Sequence, residues 1–346
     1  MTHLKPDIKN FTLQQLALWL SSHGIEPYRA KQIFKWIYIR QAESFDVMTD
    51  IAKTTREFLA VHFRVTHLNK IRTEISKDGS QKYLFQLDDG EYIESVLIPE
   101  KYHYTLCISC QVGCAQGCKF CLTAKGGFIR NLKLGEITGQ VLYAKNNLNI
   151  KKPLTNIVFM GMGEPLANYK NVINAVDIIT NSEYGIRFSN RRVTISTAGI
   201  IPKLHNLSQR IKVNLAVSLN AADNKIRSYL MPLNKKYPVE NLINECKHYN
   251  LVTGRKITFE YILLKDINDS EKDAHHLVKL LCSVKSKINI IPFNEYDKSD
   301  FKSADELSIN MFCDILSKNK FEVTVRRSKG KDISAACGQL RLKNRE

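Results

Sequence analysis

Three cysteines within eight residues, Cys114, Cys118 and Cys121, stand at C-x3-C-x2-C spacing, and two more, Cys107 and Cys110, lie just upstream. In a reducing compartment thiols packed this densely read as metal binding or catalysis, not as a disulfide framework. A structural zinc site normally takes four ligands, so Cys107 or Cys110 would have to complete one. A four-iron cluster suits the triad differently. Three thiolates hold three irons, the fourth iron stays open to a substrate, and the site gains one-electron chemistry that zinc lacks. Gly113 and Gly117 precede the first two cysteines and permit the sharp turns a cluster-wrapping loop needs. The spacing favours iron and sulfide, with zinc, or three unrelated buried thiols, as the alternatives.

The wider composition narrows the partner. Lys and Arg number 51 against 34 acids, a formal charge of +17. Such an excess favours nucleic acid or an acidic membrane face, with plain solubility as the bland alternative. No stretch approaches the roughly 18 uninterrupted apolar residues of a spanning helix. The first residues, MTHLKPDIKNF, lack the apolar core of a secretory signal. A cytoplasmic protein with no membrane partner is therefore expected. From another class, a zinc-stabilised RNA-binding protein without catalysis would use the same charge and the same cysteines.

The elements that must hold the cysteines follow from periodicity. Residues 1–64 read as helical. Phe11–Leu20 is amphipathic and is broken by Gly24 and Pro27, and Ile33, Trp36 and Ile37 share a face that reads as core. Arg29, Lys31, Lys35 and Arg40 on that segment suit RNA or simple solvation. Tyr83–Leu87 and Tyr92–Ile98, joined through Asp88-Asp89-Gly90, read as a β-hairpin within 65–99. From residue 100, strand candidates Thr105–Ser109, Asn156–Met160, Val193–Ser196, Val213–Leu219, Ile257–Leu263 and Ile288–Pro292 alternate with helical stretches such as Leu134–Asn147, Tyr169–Thr180 and Glu271–Leu281. That alternation predicts an α/β fold with a parallel sheet, open or curled into a partial barrel. A last strand, Glu322–Arg326, precedes the tail.

The triad, with Phe120 before its last cysteine, resembles the radical S-adenosylmethionine (SAM) superfamily. The strings Cys107–Cys114, Gly127–Leu132, Phe159–Leu166 and Asp332–Leu340 together resemble its RlmN/Cfr family of RNA adenine methyltransferases, over nearly the full chain. Gln111-Val112-Gly113 and Ala115-Gln116-Gly117 are closer to the branch that methylates adenine C2 than to the branch that methylates C8. The resemblance implies a partial (β/α)6 TIM-type radical SAM barrel at 100–332, with an N-terminal helical RNA-binding accessory domain at 1–64. It also implies a β-hairpin extension at 65–99 and a C-terminal tail at 333–346. It implies a [4Fe-4S] cluster on Cys114, Cys118 and Cys121, and SAM as cosubstrate. The implied partners are 23S rRNA, tRNA and a flavodoxin-like reducing electron donor, and the chain is expected to be a monomer.

The chemistry so implied fits the problem. Adenine C2 lies between two ring nitrogens and is a poor nucleophile, so direct attack on the SAM methyl is closed, whereas a carbon radical can add there. In the implied scheme one SAM methylates the Cys337 thiolate. A second SAM yields an adenosyl radical that takes a hydrogen from the S-methyl group. The carbon adds to C2, Glu94 accepts the C2 proton, and Cys107 closes a disulfide with Cys337 to release the base. Read without the resemblance, Glu94 is an exposed strand acid. The implied SAM contacts are Gly163, Glu164, Ser196, Ser218, Leu219, Asn220 and Asn294, each at the C-terminal end of a predicted strand, where barrel enzymes build their sites.

Two positions depart from the family pattern. Asn220 stands where histidine is expected and cannot carry a proton charge near neutrality. Cys110 replaces a serine and reads as a bystander. Cys246, Cys282 and Cys313 read as small buried residues.

Overall fold

A computed structural model describes residues 5–148, 152–296 and 299–340. The chain opens with three helices. In α1 (Leu13–Ser22) the Thr12 hydroxyl accepts the Gln15 amide at 3.2 Å while the Gln15 side chain accepts the Thr12 amide at 2.9 Å, the reciprocal cap that Thr-x-x-Gln specifies. Helix α2 (Arg29–Tyr38) buries Ala30, Ile33, Phe34 and Ile37, and α3 (Lys53–His62) adds Leu59. Lys31 forms an ion pair with Glu183, and the Arg40 guanidinium lies 4.1 Å from the Trp36 ring centroid. Arg29 donates to Gln32 Oε1 at 2.7 Å, so three of the basic residues considered for RNA are engaged within the chain.

Strands β1 (Asn69–Ile75), β2 (Gln81–Gln86) and β3 (Tyr92–Pro99) form an antiparallel meander, and β3 pairs with β4 (Tyr104–Cys107), placing Val96 opposite Cys107. The extension is therefore three strands, not two, and is continuous with the main sheet. Next come β5 (Gln111–Gly113), the single turn α4 (Leu122–Lys125) and β6 (Phe128–Asn131), with β5 and β6 pairing on either side of the cysteine loop. Helix α5 (Leu134–Asn146) follows. Its Gly135 amide donates to Asn10 Oδ1 at 3.0 Å, and a Cβ there would lie 3.0 Å from Asp7 Oδ2, so glycine permits the helical segment to dock.

The remaining strands are β7 (Leu154–Phe159), β8 (Val193–Thr197), β9 (Asn214–Ser218), β10 (Ile257–Leu263), β11 (Ser286–Pro292) and β12 (Glu322–Val325). Between them run α6 (Tyr169–Thr180), α7 (Ile201–Arg210), α8 (Asn224–Leu230), α9 (Val239–His248), α10 (Glu271–Leu281) and α11 (Glu306–Lys318). The ten-stranded sheet is ordered β1-β2-β3-β4-β7-β8-β9-β10-β11-β12 and is parallel from β4 onward. This is the partial barrel of the expected fold. All strand tips of the parallel part face one end, where glycine turns and polar residues replace the apolar runs. Among the described residues, no helix is long and apolar enough to cross a membrane.

One expectation fails here. Cys282 is exposed, not buried, because it falls at the stop of α10, off that helix's apolar face. Cys246 is buried and Cys313 half-buried.

Candidate active site

The cysteine loop is fixed by its backbone. Gly113 has φ +74°, and a Cβ there would overlap the Gly127 carbonyl that accepts the Cys114 amide at 2.7 Å. Only glycine fits this approach. Lys119 N donates to Leu230 O at 3.0 Å, and Cys121 N to Cys118 O at 3.1 Å. A small apolar cluster of Phe120, Leu230, Met231, Phe293 and Phe301 packs against the half-buried Cys118 and Cys121.

Cys114, Cys118 and Cys121 all line one chamber of about 150 Å³. Cys107 and Cys110 do not line it. Cys110 is buried with its thiol toward Met162 O at 3.6 Å, which supports the bystander reading. The tip of β4 turns Cys107 toward a different cavity. Neither extra thiol therefore completes a four-ligand zinc site. Among the described residues, no three His, Cys, Asp or Glu side chains are placed to hold a single metal ion. Burial pushes the Cys114 thiol up to about 12 and the Cys118 thiol well above its usual range. Bound iron would replace those protons.

The same chamber carries most of the expected SAM contacts: Gly163, Glu164, Ser196, Ser218 and Asn220. Gly163 has φ +100°, and a Cβ would lie 2.5 Å from that of Gln111. The Glu164 carboxylate accepts the amides of Leu166 and Ala198 and the Thr197 hydroxyl, at 2.9, 2.7 and 2.7 Å. Burial raises its pKa and these bonds oppose the shift. Its side chain therefore ties the β7 loop to the tip of β8.

Asn220 adopts φ +59°, a left-handed conformation asparagine tolerates. Its Oδ1 accepts the Ile262 amide at 2.9 Å, and Asn268 Nδ2 donates to its carbonyl at 2.7 Å. The departure from histidine is thus absorbed into the turn. Leu219 does not line the chamber. It is fully buried, its amide bonds Glu260 O at 2.9 Å, and its carbonyl accepts Arg227 Nε at 3.0 Å. Asn294 lies just outside the lining, donating to Ser328 Oγ at 2.9 Å and to Cys337 O at 3.3 Å. Its buried Oδ1 and the nearby Gln339 Oε1 have no hydrogen-bond partner. Buried orphan acceptors of this kind mark a place for a donor from a ligand, so the donor set fits a cluster with an aminoacyl ligand beside it.

The tail brings Cys337 to this chamber. Gly338 O accepts the Leu122 amide at 2.8 Å, and Leu340 O accepts the Thr123 hydroxyl at 2.7 Å, pinning the tail beside Cys121. A second cavity, of about 320 Å³, is lined by Cys107, Cys337, Arg326, Glu100 and Ile98. Cys337, Cys121, Gly161 and Gly338 border both cavities. Cys337 thus stands in the partition. Burial raises both tail-facing thiols, Cys107 to about 12, while the Arg326 guanidinium opposes the rise at each. All nine cysteines are free thiols.

Glu94 is not brought to either cavity. It is buried on β3, paired with Lys82 Nζ at 3.2 Å, and β3 presents Ile98 to the second cavity instead. The exposed-acid reading fails too, since cross-strand pairing with β2 encloses the side chain. Lys82 Nζ also donates to Ile333 O at 2.8 Å. The β1–β2 turn grips the tail further. Ser76 Oγ donates to Asp332 Oδ1 at 2.6 Å, Lys77 N to Asp332 Oδ2 at 3.1 Å, and Gly330 N to Asp78 Oδ2 at 2.7 Å.

The sequence reading missed this clasp, and it missed Glu260, Arg326 and Arg227. Glu260 lines the chamber and accepts the Ser196 hydroxyl at 3.2 Å. Arg326 lies 3.8 Å from Glu260. Fully buried Arg227 donates to Ala198 O at 2.8 Å and Asn234 Oδ1 at 2.9 Å, bracing the tips of β8 and β9. A lone acid within the apolar run Ile257–Leu263 was the available signal for Glu260.

Comparison with known proteins places these features in a family. Residues 6–65 match the model for the ribosomal RNA large subunit methyltransferase N-terminal domain, and residues 108–278 match the radical SAM superfamily. The dual-specificity RNA methyltransferase RlmN of Desulfosudis oleivorans is 57% identical over 98% of this chain and 91% of that protein. Its counterpart in Geobacter sulfurreducens is 49% identical over 97% and 92%. The crystal structure of a radical SAM methyltransferase from Sphaerobacter thermophilus superposes with a TM-score of 0.90 at 42% identity, covering 97% of this chain and 99% of that one.

Proposed function

The chain belongs to the RlmN family of radical SAM RNA methyltransferases, and from that membership we propose that it methylates C2 of an adenine in 23S rRNA and in tRNAs, using two SAM per turnover. The observation that carries the reading is Cys337 bordering both the triad chamber and the Cys107 cavity. A methyl carrier must meet SAM on one side and the base on the other.

Cys114, Cys118 and Cys121 would hold the [4Fe-4S] cluster, and Gly163, Glu164, Ser196, Ser218, Asn220 and Asn294 would bind and orient SAM. Leu219 acts by fixing the turn. The Cys337 thiolate, eased by Arg326, takes the methyl of one SAM in an ordinary nucleophilic transfer. A cluster held by these cysteines would supply the one-electron reduction of a second SAM on which removal of a hydrogen from the Cys337 S-methyl carbon depends. The tail then presents that carbon to C2 in the Cys107 cavity. Glu94 accepts the C2 proton. Glu94 stands outside both cavities and reaches the base only when the Lys82–Ile333 contact opens; because Lys82 holds both the Glu94 carboxylate and the Ile333 carbonyl, a shift of the tail base on base binding and access to Glu94 are coupled. With the C2 proton the adduct also gives up its unpaired electron, which a cluster at the triad would take back. The Cys107 thiolate then attacks Cys337 Sγ: the sulfur–sulfur bond forms as the carbon–sulfur bond breaks, and the electron pair of that bond goes to the product carbon, which takes a proton to become the methyl group. Two further electrons reduce the disulfide. A flavodoxin-like carrier supplies electrons, and the enzyme works as a cytoplasmic monomer.

The proposed division of labour gives residues 1–64 to RNA binding, 65–99 to the strands that carry Glu94 and the clasp, 100–332 to the radical core and 333–346 to the methyl-carrying tail. Mass spectrometry of adenosine from RNA treated with the reconstituted enzyme tests the reading. 2-Methyladenosine is expected; 8-methyladenosine would assign the chain to the C8 reaction, and neither product would refute both.

A further inference from the structure

The proposed reaction consumes electrons, and they must enter from outside. On the outer side of the cysteine loop lies a third hollow, of about 290 Å³, lined by Gly117, Cys118, Lys119, Lys125, Tyr229 and Asp300. Cys118 borders both this hollow and the inner chamber, so one thiolate separates the cluster position from the surface. Lys119 and Lys125 are exposed. Lys119 Nζ sits 3.8 Å from the Tyr229 ring centroid, and Lys125 Nζ 5.2 Å from that of Tyr296. Among the described residues neither ammonium forms an ion pair, so both are held over aromatic faces with their charge uncompensated. The bond from Lys119 N to Leu230 O fixes the first of them. Among the described residues, Asp300 is the one acid that lines it. The hollow shares no lining residue with the Cys107 cavity proposed to admit the base.

We propose that this hollow is the docking point of the electron donor, a small acidic flavoprotein whose carboxylates meet Lys119 and Lys125 and whose flavin edge sits over Cys118. Each electron leaves the reduced flavin, enters through the Cys118 side of the loop, and is used in breaking one carbon–sulfur bond of SAM. The inference rests on the radical reading above. The hollow's continuity with the cluster ligand, and its separation from the base cavity, favour a redox protein over RNA.

The test uses cluster-loaded protein and its Lys119→Glu/Lys125→Glu variant, with Lys125→Glu alone as the milder companion should the double variant load poorly. Bleaching of the cluster absorbance is followed by stopped flow with reduced flavodoxin and, separately, with dithionite, and flavodoxin and RNA affinities are measured in parallel. Charge reversal at a steered interface acts mainly on association. Flavodoxin-driven bleaching and affinity should fall about tenfold at low salt, while dithionite-driven bleaching stays within about twofold. Unchanged flavodoxin kinetics overturns the proposal, as does a loss confined to RNA affinity. If the unsubstituted protein makes no 5′-deoxyadenosine even with dithionite and RNA, the radical reading itself has failed. Flavodoxin kinetics left unchanged by the substitutions, in protein whose dithionite chemistry is normal, instead remove the docking site alone.

Discussion

Cys337 and Cys107 occupy different environments for different tasks. Cys337 lies in the partition beside Cys121, and Cys107 lies deep at the tip of β4. Replacing Cys337 by Ala should leave the cluster absorbance intact and abolish methyl transfer; full activity would reject the carrier role. Cys107→Ala should trap a covalent protein–RNA species visible on a denaturing gel, and normal turnover without that species would remove Cys107 from the scheme. The pH dependence of release has a definite sign. Burial holds the Cys107 thiol protonated up to about pH 12, and only the thiolate attacks, so its fraction rises with pH below that value. Single-turnover decay of the adduct should therefore accelerate about tenfold per unit between about pH 7 and about pH 9. A flat profile contradicts attack by Cys107. For the proton acceptor there are two carboxylates to separate: Glu94, enclosed with Lys82, and Glu100, which lines the Cys107 cavity beside Lys329 at 3.3 Å. Glu94→Gln should accumulate adduct and Glu100→Gln should not; the reverse pattern would move the role to Glu100.

At the scale of elements, the β1–β2 turn and the tail base form one unit. Asp78 remains ionised because, although burial raises its pKa, the Gly330 and Ser80 hydrogen bonds outweigh that and hold it at about 2. Its folded value lies below the usual carboxylate value. The stabilisation it gives is thus present above about pH 4 and lost as pH falls toward about 2, and the clasp keeps its charge through the neutral range. Asp78→Ala should lower kcat about tenfold with the cluster retained, since loss of positioning alone has effects of this size, and should speed hydrogen exchange in the tail. Unaltered exchange would show that the clasp holds nothing. This unit also shows what sequence reading can and cannot reach. The parallel strands were legible because short β-branched and aromatic segments such as Val193–Thr197 and Ile257–Leu263 are flanked by helical periodicity. Strand β1 was not, because Lys70, Arg72 and Glu74 lie on a mostly exposed edge and carry no apolar signal. The cysteine triad was legible through spacing. The Glu260–Ser196 contact and the Arg326 position were not, because they join residues far apart in sequence that meet only when the sheet curls. Leu219 and Asn220 were placed at the correct strand tip, but their use inside the turn depends on the left-handed backbone at Asn220, which no pattern announces.

For the whole molecule, a charge of +17 on 346 residues supplies the long-range attraction to RNA, and the internal pairing of Lys31 and the stacking of Arg40 mean that not every cation takes part. RNA affinity should fall steeply, by about 10³-fold or more, between about 50 and about 200 mM salt; a shallow dependence would point to recognition with few phosphate contacts. All scales meet in the claim that the tail passes a methyl group across the partition between two cavities. The most direct measurement supplies SAM with a fully deuterated methyl group, preloads the protein, and reads both products by mass spectrometry. Transfer through Cys337 predicts 2-methyladenosine retaining two deuteriums, with the third in 5′-deoxyadenosine. A product methyl that keeps all three deuteriums would contradict the account.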